Sequence, residues 1–198
     1  IFEVASLRKA PIFVHVRRGV QGDPAGLNEF IDLSKAHNAS VHICHINANA
    51  MGQIELWLDL ISVANKEGAD ISIEMYPYTA GSAAIISDVF GRDWQNIFGI
   101  EYKDVQWSAT GEYLTKETFD NYRKNDPSGM VTHHYQKEEW IQKALASPSC
   151  IVASDAMPLF RLSNKVVPNG IGTFSRILAK YVRDLQLITL SDAIAKMS

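Results

Sequence analysis

Charge of one sign, cysteine and long apolar runs are all scarce in this sequence. The formal net charge is −3 over 198 residues, with no long run of either sign. That excludes an extended nucleic-acid face and a basic membrane patch. No apolar run approaches the ~18 residues needed to span a bilayer. The opening IFEVASLRKA reads as an amphipathic helix, without the basic start and small-residue cleavage site of a secretory signal. The two cysteines, Cys44 and Cys150, lack metal-type spacing. They read as free thiols, so a cytoplasmic compartment is expected. There is no domain linker and no low-complexity segment. Because the sequence starts on IFEV without a methionine, it is expected to begin partway through something longer.

What is present is a core and a period. At 46% hydrophobic, the chain suits one domain with a substantial interior. Three apolar, β-rich stretches, PIFVHV (11–16), SVHICHI (40–46) and ADISIEMY (69–76), recur at the ~30-residue spacing of a βαβ unit. Between them lie apolar stripes at helical spacing. One follows Asp23 and Pro24, an expected N-cap and first turn; the other covers 53–66 and stops at Gly68. Repeated strand–helix alternation implies a parallel sheet covered by helices. MVTHH (130–134) and CIVAS (150–154) are expected as fourth and fifth strands, with helices at 115–124, 137–146, 173–185 and 190–197. Ser191 is a candidate cap for the last of these. From 77 to 130 the pattern loosens and aromatic residues scatter, as in a long functional loop.

Each expected strand ends in polar groups: His15 and Arg17, then His45 and Asn47, then Glu74, Tyr76 and Tyr78, then His133 and His134, then Ser154 and Asp155. In a β/α barrel these ends share one rim, where catalytic groups sit. By strand alternation His45 lies nearest the rim, and His42 is expected to be a hydrogen-bonded core residue. Of the doublet His133-His134, at most one ring faces the mouth. A carboxylate that ends the buried run IVASD either caps the next turn or has a partner that compensates its desolvation. A histidine with an aspartate from another strand suits a divalent, zinc-type ion, whose open position acidifies a water. Both readings of Asp155, cap and ligand, remain open on the residues alone.

VHICHINA, IEMYPYTAGSA, IVASDAMP, GTFSRILAKYVRD and ITLSDAIAKMS, with FVHVR upstream, resemble in order and spacing the N-acyl-D-amino-acid deacylases (D-aminoacylases) of the amidohydrolase superfamily. The resemblance implies an α/β fold, a metal-dependent (β/α)₈ TIM barrel. This chain would supply its last five β/α units, with a variable loop or lid at about 79–129. It implies hydrolysis of a linear, non-peptide amide in a small-molecule substrate, with zinc or a similar divalent metal as cofactor and no nucleic-acid or membrane partner. His45 matches the metal-binding histidine of the fifth strand. Asp155 matches the eighth-strand aspartate, a metal ligand or the catalytic proton shuttle. His15, Arg17, Tyr76, Tyr78 and Ser154 match positions lining the substrate pocket, and Arg17 or Tyr78 is expected to face the same cleft as Asp155.

The departures carry expectations too. The superfamily's first-strand His-x-His and the early metal-binding cysteine segment are absent, as is a histidine within 71–78. The missing strands are expected to come from the rest of a longer chain or from another chain. Val167-Pro168-Asn169 stands where relatives carry His-Pro-Arg, which removes the arginine expected to hold a substrate carboxylate. The alternatives are a dihydroorotase-like or hydantoinase-like cyclic amidohydrolase, and a catalytically inactive barrel segment.

Overall fold

The structure is a computed structural model and describes residues 1–156 and 169–198. The sequence features at 157–168, including Met157, Pro158, Val167 and Pro168, lie outside the described residues.

The chain opens with helix α1 (Phe2–Arg8) and strand β1 (Ile12–Val14), then α2 (Ala25–His37) and β2 (Val41–Ile43). Next come the five-residue helix α3 (Ile46–Ala50), α4 (Ile54–Lys66) and β3 (Ile71–Met75). Pro24 and not Asp23 stands at the N-cap of α2, one residue later than expected, and the Asp23 carboxylate accepts the Ala25 N–H at 2.9 Å from just outside the helix. Gly68, at φ 98°, follows the end of α4.

β4 (Gly81–Ala84), α5 (Trp94–Phe98), β5 (Val105–Trp107), β6 (Glu112–Tyr113), α6 (Lys116–Asn125) and β7 (Met130–His133) follow. After α7 (Glu138–Ala146) and β8 (Cys150–Val152) the chain ends in α8 (Asn169–Arg176), a π-helical continuation over Ile177–Asp184, and α9 (Leu190–Met197). Thr189, not Ser191, caps α9, accepting the Asp192 N–H at 3.1 Å.

β1, β2, β3 and β8 form one parallel sheet in that order, which is the expected α/β architecture. The expected fifth parallel strand is corrected. Met130–His133 does form a strand, but it lies in a second, antiparallel sheet of order β4-β7-β5-β6, and β3 pairs directly with β8. The described parallel sheet has four strands and does not close into a barrel.

Packing explains the difference. Val131 is fully buried among Ile85, Phe90, Val105, Trp107 and Phe119, so β7 belongs to an aromatic core of its own. Phe119 stacks on Trp94 at 5.6 Å, and Tyr122 on Trp107 at 4.0 Å. Most of the aromatic residues that looked scattered between 77 and 130 form this second core, while Tyr113 stays exposed. Aromatic pairs contribute ~0.5–1.5 kcal/mol each beyond the area they bury.

Alternation along the parallel strands sends Val14, Ile43, Ile73 and Cys150 to one face, against Leu27, Trp57, Ile61, Leu145 and Tyr181 of the helices. The next row, Phe13, His42 and Ser72, points the other way. There His42 bonds Ser72 Oγ at 2.7 Å and Glu74 Oε2 at 3.1 Å, the hydrogen-bonded role expected of it.

Trp57, fully buried on α4, donates its indole N–H to the Gly22 carbonyl at 2.8 Å. Gly22 sits at φ 86°, and a Cβ there would lie 2.0 Å from the Ala50 carbonyl oxygen. Gly22→Ala is therefore expected to cost roughly 2–4 kcal/mol of stability, from both the left-handed backbone and the clash. Urea unfolding of the natural chain and the variant checks this; a loss below about 0.5 kcal/mol would mean that this turn relaxes freely.

Candidate active site

The C-terminal ends of the parallel strands meet at a cavity of about 140 Å³. His15, His45 and Asp155 line it from the loops after β1, β2 and β8, and Tyr76 from just beyond β3. The second sheet supplies the opposite wall with His133 and, two residues past it, Tyr135. Gly81 faces His133 across the ladder, and a Cβ there would lie 2.9 Å from the imidazole Cε1. The bare glycine thus leaves room for the ring.

His45 does not reach the cavity by strand alternation. β2 ends at Ile43, and His45 adopts a left-handed conformation (φ 39°, ψ 57°) that starts α3. Asp155 is also left-handed, at φ 50°, three residues past β8. Such conformations cost a non-glycine residue of order 1–3 kcal/mol and persist where the surroundings over-determine them.

The surroundings of His45 are visible. All five residues of α3 are buried. Asn47 clamps the Tyr76 backbone, donating to its carbonyl at 3.0 Å and accepting its N–H at 3.3 Å, and also bonds Gln136 Oε1 at 2.6 Å. Asn49 donates to the Cys44 carbonyl at 3.0 Å. For Asp155, Asn169 donates its side-chain amide to the backbone carbonyl at 2.8 Å. Asn169, at the start of α8, is thus engaged in holding the Asp155 turn.

His15 Nδ1 and His45 Nε2 lie 2.9 Å apart, so one ring donates to the other. Burial holds both imidazoles below their ordinary pKa, aided by the nearby Arg18 charge and, for His45, by His15; His45 falls to about 3. His133 is lowered to about 3 in the same way. All three rings are therefore neutral at pH 7. The Asp155 carboxyl is pushed up to about 6, first by burial and then by Glu74, with Arg18 opposing. An acid near 6 is poised to exchange protons at neutral pH.

Two neutral imidazoles and a carboxylate are the donor types of a zinc-type site. The buried His45 Nδ1 has no hydrogen-bond partner, which leaves a ring nitrogen uncommitted. Among the described residues, however, no three His, Cys, Asp or Glu groups gather into a full ligand set. The chemistry fits such an ion, and the set present is partial.

Arg17, Tyr78 and Ser154 are not in the wall of this cavity among the described residues. Arg17 turns outward to Glu29 at 3.0 Å, and Tyr78 lies beneath the Arg176 guanidinium at 5.1 Å. Ser154 is half-buried beside Asp155. The residue facing Asp155 is the next one along, Arg18, which the sequence reading passed over; the only available signal was the doublet Arg17-Arg18, whose alternate members must diverge. His133 lines the cavity, while His134 turns away to Gln106 at 3.4 Å.

The parallel sheet backed by helices is an α/β fold similar to that of solved amidohydrolases. The solved zinc- and phosphonate-bound N-acyl-D-glutamate deacylase from Bordetella bronchiseptica superposes with a TM-score of 0.80 at 23% identity, over 99% of this chain and 42% of that one. A crystal structure of D-aminoacylase gives 0.75 at 22% identity over the same shares.

In sequence, the chain is 26% identical to N-acyl-D-glutamate deacylase and 28% identical to D-aminoacylase, both from Alcaligenes xylosoxydans xylosoxydans. The matches cover 98% and 93% of this chain, which spans about two-fifths of the length of these relatives, 41% and 39%. The resemblance read from the motif blocks is thereby borne out. No family model matches the chain.

The sign of the Asp155 shift makes a prediction. Its folded pKa of about 6 exceeds the ordinary carboxylate value of about 4, so stability falls as pH rises between them, because the unfolded chain gives up its proton first. In chelator-treated protein, Asp155→Asn should match the parent near pH 4 and melt slightly higher at pH 7, a gain kept small because the exposed side of Asp155 is screened by solvent. Asn also tolerates the left-handed backbone. A difference in Tm that does not change with pH would contradict the assignment.

Proposed function

We propose that the chain is the C-terminal-strand portion of a metal-dependent amidohydrolase barrel whose reaction is deacylation of an N-acyl-D-amino acid. The observation that carries this reading is the convergence of the paired His15 and His45 rings and Asp155 on one cavity. Similarity to relatives named as deacylases supports it, as does the amidohydrolase-like fold.

If Asp155 follows the eighth strand of such a barrel, counting back along the four-stranded sheet puts His15 after the fifth and His45 after the sixth. His45 then moves one strand from the place the motif comparison gave it. His15 joins it as a ligand candidate instead of only lining the pocket. These two imidazoles, with Asp155, would hold the ion, which when bound supplies Lewis acidity toward an amide carbonyl. Asp155, ionised at pH 7 and poised near 6, takes a proton from the attacking water and returns it to the leaving amine. Tyr76 and Tyr135 form an apolar wall with polar tips that limits water around the amide. The second sheet, whose β4, β5 and β6 fall within the expected insertion at 79–129 and whose β7 lies just beyond it, acts as a lid by closing the cavity with His133. The remaining barrel strands and ligands come from chain beyond this segment or from a partner.

A rival reading, a segment without catalysis, draws on the partial ligand set among the described residues. The test is hydrolysis of a panel of N-acetyl-D-amino acids by the full natural protein with added zinc. Chelation should abolish turnover and zinc restore it, and Asp155→Asn should lower kcat by about 10²-fold or more while the fold survives. Activity within tenfold of the parent would remove Asp155 from proton transfer. Hydrolysis of cyclic imides alone would favour the cyclic amidohydrolases.

A further inference from the structure

Arg18 is the cation nearest the chemistry, and it is 8% exposed. Its Nε donates to the Ala48 carbonyl at 3.0 Å and one terminal nitrogen to Asn49 Oδ1 at 3.3 Å. Its guanidinium lies 4.9 Å from the Phe98 ring centre and 5.4 Å from that of Tyr135. No carboxylate among the described residues lies within ion-pair distance of it. The hydrogen-bond and ring partners of this buried cation are all neutral, and Asp155 acts on it only across the cavity, so a further anion beside it would offset part of its burial cost.

The space beside Arg18 fits such a visitor. It lines both the cavity of Asp155 and an adjoining one of about 340 Å³, and His15 and Val89 are shared between the two. The adjoining cavity also carries Arg17 and Arg92, against Asp88 as its single carboxylate among the described lining residues. Arg17 is already engaged by Glu29. Arg92 donates to the Arg18 backbone carbonyl at 3.1 Å, tying the second sheet's segment to this corner.

We infer that Arg18, backed by Arg92, forms the subsite that holds the carboxylate of the substrate, at the junction of the two cavities. This rests on the acyl amino acid reading above and assigns the group that recognises its anionic end.

The test separates recognition from catalysis. Binding of N-acetyl-D-alanine and of its carboxamide, N-acetyl-D-alaninamide, is measured by calorimetry on chelator-treated full-length protein, where turnover is suppressed. The parent should bind the carboxylate at least about tenfold more tightly than the amide. Arg18→Gln should weaken carboxylate binding by about 100-fold and change amide binding less than about threefold; Arg18→Lys should fall between, keeping charge but losing the fork.

A parent that binds both ligands equally would overturn the proposal without any variant, so it stands or falls even if Arg18→Gln does not fold. Equal losses for both ligands would make Arg18 a structural pin only. In the zinc-loaded protein the carboxylate-specific loss should appear mainly in KM. If the parent prefers the carboxylate through Arg18 but turns over neither ligand, the deacylase reading fails and the subsite stands.

Discussion

The molecule's two cores meet at α3, where buried amide side chains reinforce the apolar contacts of Trp140 and of α3 itself. Helix α3 is five residues long, too short to hold itself together in water. Asn47 and Asn49 give it order by bonding the Tyr76 backbone, Gln136, the Cys44 carbonyl and Arg18. Each bond adds little in isolation. Left unmade in a buried position, each would cost about 1–3 kcal/mol. Breaking one leaves the others strained or dry, so the network acts as a unit. The left-handed turn at His45, the placement of Tyr76 and the seating of the second sheet all depend on it.

That arrangement explains why the cavity mixes two architectures. The parallel sheet supplies His15, His45 and Asp155 from loops beyond its strand ends, the usual origin of chemistry in β/α folds. The antiparallel sheet supplies His133 and Tyr135 on its own aromatic core. Arg18 touches both, stacked on Phe98 and Tyr135 while bonded to α3. Neutral imidazoles around a single buried guanidinium give the cavity a positive field in which a carboxylate at Asp155 stays partly ionised.

Much of this was legible in the sequence, and for identifiable reasons. The 30-residue period and the apolar alternation of 11–16, 40–46 and 69–76 reflect burial, which composition records directly. The helix start beside Asp23 and Pro24, termination at Gly68 and the helix at 116–125 follow from local chemistry. MVTHH misled because a short β-rich run reads the same in either kind of sheet; only the aromatic residues around Val131, distant in sequence, decide its partners. His45 was found for an imperfect reason, since a left-handed turn and not the pleat aims its ring. Arg18 was missed beside Arg17 because burial of one member of a charged doublet is a tertiary property.

The hydrogen bond from Asn169 to the Asp155 carbonyl ties the left-handed turn after β8 to the first residue of α8. The carboxylate is therefore located by two elements at once, the sheet edge that precedes it and the helix that bonds its backbone. A substitution that shifts α8 would move the reacting group although it touches nothing in the cavity.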